Sequence, residues 1–434
     1  MGTDMKRTGN VFRNRNYRLV FFGALVSELG ALLYSFAVGF YILEITENNA
    51  FLQGLYLALC GVSLLVFTPV GGVLGDNFNK AKIMYVCDYV KGGLILLATA
   101  LLQLFPQNNA QLVILFAAGI LGNGVSGIFT PASGALLPHI VEEEKLQQAN
   151  AYFSMKSSLE SILGIILAAI LYASMPITLL FLVVGICYLA SGVSEMLIRF
   201  EHHKPHERLT LKLAVRDMGE GISYLKTKKA ILALLGAILF INFFFAPVTG
   251  NFLPYFVKTD LASAPSYLLD QLLTPELWSS VFTVCCGLSA LLGAAILSAR
   301  AQEEKCGAKT AHRLCATAAL MIGFTVCFWL LVDRGVSLNG FLIAFCLFFL
   351  VLGALLSFIN IPINTALMRV VDKDKLSKVN SIISIGSQGM IPIASVLAGA
   401  ILETLGSTLL LSFCALGFTV TALLLLFNKQ IREL

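Results

Sequence analysis

Twelve stretches of mostly apolar residues follow one another along this 434-residue chain, at 17–43, 52–73, 82–103, 111–130, 150–173, 176–198, 230–257, 277–298, 313–332, 338–360, 378–402 and 407–428. A helix needs about 20 such residues to cross a bilayer. Inside lipid no water satisfies the backbone, so segments of this kind must close their hydrogen bonds internally, as helices. Composition agrees. The chain is 57% hydrophobic and 13% charged, with a mean hydropathy of +0.84, whereas soluble domains hold about 45–50% apolar and about 25% charged residues. The sequence therefore predicts an all-α polytopic membrane protein. The first apolar run, beginning near Tyr17, exceeds the core of a signal peptide and has no small-residue cleavage site close behind it, so it is expected to remain as the first span.

The cations set the orientation. With the N-terminus in the cytoplasm, all of the 30 Lys and Arg residues except Lys91, Lys156, Lys258 and Arg334 fall in cytoplasmic segments or at their helix ends. This positive-inside bias predicts a multi-pass protein of the plasma membrane with both termini cytoplasmic. The longest polar connection, 199–229, lies between spans six and seven, and divides the chain into a bundle at 1–198, a linker at 199–229 and a second bundle at 230–434. Within the linker, Leu211, Val215, Met218, Ile222 and Leu225 recur at helical spacing, which suits an amphipathic helix on the inner membrane surface.

One motif occurs twice. The connector after span four, PASGALLPHIVEEEKLQQANAYFS (131–154), returns after span ten as PINTALMRVVDKDKLSKVNSIIS (362–384). Pro131 matches Pro362, and Ala135-Leu136 matches Ala366-Leu367. After a one-residue gap, Lys145-Leu146 matches Lys375-Leu376, Asn150 matches Asn380 and Ser154 matches Ser384. Two parallel six-helix units carrying the same connector indicate duplication, and halves related by an axis along the membrane normal suit a transporter that rocks about a midplane site.

The sequence lacks the marks of an enzyme: it has no Walker A loop, HExxH, GxSxG or nucleotide-binding GxGxxG in a βαβ setting. Its ten cysteines form no CxxC or Cys/His ligand spacing, and read as packing residues rather than disulfides or metal ligands. The HHKPH run at 202–206 carries side chains able to bind a metal, but reads as a solvated linker. We expect no cofactor, no metal and no nucleic-acid partner.

The loop after span two, GGVLGDNFNKAKIMYVCDYVKG (71–92), resembles the inner-loop signature of the major facilitator superfamily, G-x-x-x-D-(R/K)-x-G-R-(R/K). Gly72 and Asp76 match, and Lys80 and Lys82 supply the basic cluster, while Asn77 and Asn79 replace the usual basic residue and Gly. The continuation to Asp88 and Lys91, the LLP-x-x-V connector, the DMGEGISYLK linker and NIPINTALMRVV resemble the drug:proton antiporter-3 subgroup, which includes macrolide-efflux and enterobactin-exporter proteins. The resemblance implies a major facilitator fold of twelve transmembrane helices in two pseudo-symmetric six-helix bundles. It also implies proton-coupled efflux, by alternating access, of a small amphipathic or hydrophobic compound. Antiporters often carry a Gly-Pro step in span five, where here Ile165 follows Gly164. The alternatives are a dedicated lipid, siderophore or metabolite porter without proton antiport, and a non-transporting membrane receptor. The expected partners are a small-molecule substrate, protons and the lipid bilayer, with the monomer as the working unit.

Ionisable groups inside spans are costly and mark functional sites by default. Glu28 lies in span one, and Glu160 in span five beside Ser157, Ser161 and Gly164. Both are candidates for proton coupling or substrate binding. Lys156 precedes Glu160 by four residues, so a structural pair on one helix face is an equal reading for Glu160. Gly72, Asp76, Lys80, Lys82, Asp88 and Lys91 are candidates for an inner gate, in which Asp76 would meet the positive N-terminal end of span eleven. Asn123, Asn242, Asn360, Asn364 and Gln388 are candidates for lining a cavity, with interhelical packing as the competing role.

Overall fold

Each apolar run becomes a helix in the computed structural model of the chain, which describes residues 10–142, 145–199, 219, 223, 225, 228–298, 306–370 and 376–427. The first half comprises α1 (Arg15–Ile45), α2 (Ala50–Asn77), α3 (Lys80–Leu104), α4 (Asn108–Ile140), α5 and α6 (Ile177–Met196). Helix α5 runs from Leu146–Leu159 through a π-helical turn, Glu160–Gly164, into Ile165–Ser174. The second half begins with α7, which runs over Lys229–Pro247, a π turn at Val248–Phe252, Leu253–Phe256 and a second π turn at Val257–Leu261. It continues with α8 (Pro275–Ser298), α9 (Cys306–Phe328, ending in a π turn at Trp329–Asp333), α10 (Leu338–Val370), α11 (Leu376–Leu405) and α12 (Ser407–Phe427). Twelve helices are long and apolar enough to cross a membrane, as the sequence predicts. The expected amphipathic helix at 211–225 falls almost wholly outside the described residues.

Two helices overrun their expected ends. Helices α4 and α10 are both 33 residues long and pass through Pro131 and Pro362 into the repeated connector. A proline removes one backbone donor, and neighbouring helices and local adjustments accommodate that loss within a membrane bundle. In α7 the prolines have another effect: Pro247 directly precedes a π turn and Pro254 lies between the two π turns. Pro247, Gly250 and Pro254 thus lie in or beside widened turns, a recognised source of helix distortion.

The duplication is visible in how the helices cross. A Cβ on Gly71 of α2 would lie 2.6 Å from the Gly127 carbonyl oxygen of α4, and one on Gly127 would lie 2.6 Å from the Leu64 oxygen. In the second half, a Cβ on Gly293 of α8 would meet the Ala354 oxygen of α10 at 3.2 Å, and one on Gly353 would meet the Cys286 oxygen closer still. Second and fourth helices of each half therefore approach through paired glycines, as small residues permit in membranes.

By contact, the chain resolves into two units: residues 1–37 with 63–214, and residues 38–62 with 215–434. The hairpin 38–62, made of the end of α1 and the start of α2, packs within the second unit. There Glu403 accepts a hydrogen bond from the Ala50 N–H at 3.0 Å, and Pro392 lies 2.6 Å from where Gly61 would carry a Cβ. The core of the second unit is a cluster of phenylalanines on α7–α10. Phe282 stacks on Phe345 at 4.1 Å and Phe324 on Phe348 at 4.0 Å, with Phe252, Phe256, Phe328, Phe341 and Phe349 around them.

Candidate functional site

The first unit buries charge. Lys156 of α5 is 1% exposed at its side chain, and its ammonium lies 2.7 Å from Glu28 Oε1 on α1 and 3.6 Å from Glu160 Oε2 one turn along its own helix. The sequence spacing links Lys156 to Glu160. The structure keeps that pair and adds the tighter one to Glu28, which spacing within one helix cannot reveal. The two carboxylates differ in setting: the Glu28 side chain is 49% exposed and that of Glu160 is 7%. The ammonium also lies over the Phe153 ring, 5.3 Å from its centroid.

Local structure sets this arrangement. Glu160 opens the π turn Glu160–Gly164, and such insertions recur where a helix re-aims its side chains at a functional site. Gly164 closes the turn against α1, where an added Cβ would lie 3.2 Å from Leu29 and 3.3 Å from Leu32. Two acids share one buried cation, so the arrangement balances fully only when one of them is neutral or reaches water. Glu28 has that access; Glu160 does not, and its Oε1 has no hydrogen-bond partner.

Asp88 and Lys91, expected near an inner gate, are both buried on α3 with Asp88 Oδ1 4.0 Å from the ammonium. The Lys91 cation sits 4.6 Å from the Phe129 ring and 5.3 Å from the Tyr188 ring. Lys80 is buried in the first turn of α3 and Lys82 is exposed, its backbone N–H donating to the Asn79 cap at 3.2 Å. An added Cβ on Gly72 would meet nothing within 4 Å. The side chains of Asp76 and Asn364 lie outside the described residues, as does the expected contact of Asp76 with α11.

Of the candidate cavity-lining amides, two bond within their own helix and two are exposed. Asn123 donates to the Gly119 oxygen and Asn242 to the Ile238 oxygen, both at 2.9 Å and both within one helix. Asn360 and Gln388 are exposed. Two polar groups went unread in the sequence. Asn251, fully buried in the π turn of α7, donates to the Ser395 carbonyl oxygen of α11 at 3.3 Å. Glu195, fully buried near the end of α6, faces Gly23 of α1. Its signal was the face formed by Ser191 and Glu195, four apart. Its position in SEMLIRF, just before the polar linker, reads instead as a helix end in water. Among the described residues no cluster of three or more His, Cys, Asp or Glu could hold a metal ion.

Among the described residues, twelve membrane-length helices in two related sets, with ionisable side chains packed inside one of them, are the framework of a polytopic membrane protein. The chain belongs to the Major Facilitator Superfamily, whose family model matches residues 20–305. It is similar to the uncharacterized MFS-type transporter YkuC of Bacillus subtilis, at 24% identity over 66% of this chain and 65% of that protein. It is also similar to macrolide efflux protein A of Streptococcus pyogenes, at 25% identity over 55% of this chain and 58% of that protein. The chain thus spans less than two thirds of the length of these relatives. Among solved structures, a bacterial homologue of the iron transporter ferroportin in an inward-facing state superposes with a TM-score of 0.71 at 15% identity, over 95% of this chain and 98% of the other. That likeness concerns the fold.

Proposed function

We propose that this protein is a proton-coupled exporter of a small amphipathic or hydrophobic compound, working as a monomer in the plasma membrane with both termini cytoplasmic. The observation that carries the reading is the buried Lys156 between the half-exposed Glu28 and the buried Glu160. Ionisable groups inside spans recur in proton relays, and here the water-accessible acid is the one in closest contact with the cation. A proton arriving on Glu28 removes that partner and turns Lys156 toward Glu160; loss of the proton restores the first pairing. Helices α1 and α5 are coupled through this exchange. Export as the direction is supported by the similarity to macrolide efflux protein A, and the orientation by the distribution of Lys and Arg along the chain.

Reconstitution into liposomes tests it. With an imposed pH gradient and a panel of amphipathic compounds that includes a macrolide, at least one compound should dissipate the gradient, and Glu28→Gln should abolish that dissipation. A Glu28→Gln protein that dissipates the gradient at the full rate removes Glu28 from coupling. If no compound in a broad panel moves protons, proton-coupled export itself is wrong.

A further inference from the structure

A second group of buried charges lies in the first unit, on α3 and α6. Asp88 and Glu195 are each 0% exposed and Lys91 is 8% exposed. Lys91 approaches Asp88 at 4.0 Å, and Glu195 lies within electrostatic range of both. Neither oxygen of Glu195 and neither oxygen of Asp88 has a hydrogen-bond partner. Ser191, beside Asp88, spends its single hydroxyl proton on the Gly23 carbonyl oxygen at 2.9 Å. The walls are otherwise apolar or aromatic: Lys91 lies over Phe129 and Tyr188, and the Glu195 methylenes pack where Gly23 leaves room, 3.4 Å from a notional Cβ. The other titratable groups facing the cluster are Cys87 on α3, Tyr188 on α6, and Glu28 on α1, which lies within range of Lys91. Tyr89 of α3 is engaged elsewhere, with its hydroxyl 3.8 Å from the Met196 sulfur.

Charge counting decides what such a cluster holds. Two ionised carboxylates and one ammonium leave a net negative charge on buried oxygens that accept no hydrogen bond from the chain, and a buried unpaired charge is among the most costly features a protein can carry. The least costly ligand that restores neutrality is a proton. A cation of any size would need several oxygen ligands arranged around it, and the Lys91 ammonium already lies 4.0 Å from Asp88 Oδ1.

We propose that Asp88, Glu195 and Lys91 form a second proton-binding site, in which Glu195 takes up and releases one proton while Lys91 remains with Asp88. This extends the proton-coupled reading to a site separate from Glu28 and Glu160, and it fails separately.

Infrared spectroscopy of the full-length protein in liposomes, titrated with pH, tests it. The carbonyl stretch of a carboxylic acid without hydrogen bonds should be present at low pH and lost as pH rises. The component due to Glu195 should be missing at every pH in Glu195→Gln, an isostere of the neutral acid, and be retained in Glu28→Gln and Glu160→Gln. If Glu195→Gln does not assemble, Asp88→Asn serves: one lysine then balances one carboxylate, and the acid band should vanish at neutral pH. A band that never titrates, that is undiminished in Glu195→Gln, or that is undiminished at neutral pH in Asp88→Asn, overturns the site. A titrating Glu195 band in a protein whose liposomes show no compound-driven proton movement supports the site while refuting the transport reading.

Discussion

Lys156 is the residue on which the first site depends, because it is the buried member of a group whose other cost-bearing member, Glu160, is buried too. Removing the cation from a buried pair leaves an uncompensated charge, at about 3–5 kcal/mol. Lys156→Met should therefore lower stability by about that amount in detergent unfolding experiments. Adding Glu160→Gln to it should recover most of the loss. Adding Glu28→Gln should recover much less, because the half-exposed Glu28 can be solvated without a partner. Equal recovery by the two would mean that the acids are equivalent and would remove the asymmetry on which the proton exchange rests.

At the level of elements, neighbouring glycines provide a contrast that sequence alone does not. Gly71 faces the α4 backbone at 2.6 Å from a notional Cβ, whereas Gly72, one position on, faces open space. Gly71→Ala must push two helices apart, at about 1–3 kcal/mol for overpacking, and should reduce thermal stability. Gly72→Ala should change it by less than about 0.5 kcal/mol, so any transport defect in that variant reports on function. A stable Gly71→Ala protein would show that the α2–α4 crossing is looser than drawn. The same logic explains what the sequence disclosed. Runs of about 20 apolar residues announce a helix wherever they occur, so all twelve helices were legible. The extensions of α4 past Pro131 and of α10 past Pro362 were not, since proline and polar residues read as a boundary unless the surrounding bundle is known. Glu28 and Glu160 stood out because they interrupt apolar runs. Glu195 did not, because it sits at a run's end, and the pairing of Lys156 with Glu28 joins residues 128 apart in a way that only packing decides.

Across the whole molecule, polarity is divided unevenly. Among the described residues every buried charged side chain, Lys80, Asp88, Lys91, Lys156, Glu160 and Glu195, belongs to the first unit, while the second is centred on phenylalanine. On the proton-coupled reading proposed above, proton handling would fall to the first unit, and the second would need a means of following it. The hairpin 38–62 supplies one: Lys258 of α7 binds Glu44 of α1 at 3.2 Å and Glu276 of α8 at 3.4 Å. Only the first of these joins the two halves of the sequence. A partly exposed pair is worth about 0.2–1 kcal/mol, so on the alternating-access reading its loss would shift the balance of states by no more than about fivefold. Ser395, 2% exposed and in contact with Gly54 and Asn251, reports whether the hairpin has separated from α7 and α11. In a Ser395→Cys background, Glu44→Gln should raise labelling by a membrane-impermeant maleimide up to about fivefold, whereas Glu276→Gln should leave it unchanged, since α7 and α8 both lie in the second half. Equal labelling in both variants would mean that Lys258 only anchors a helix end and has no part in holding this face shut.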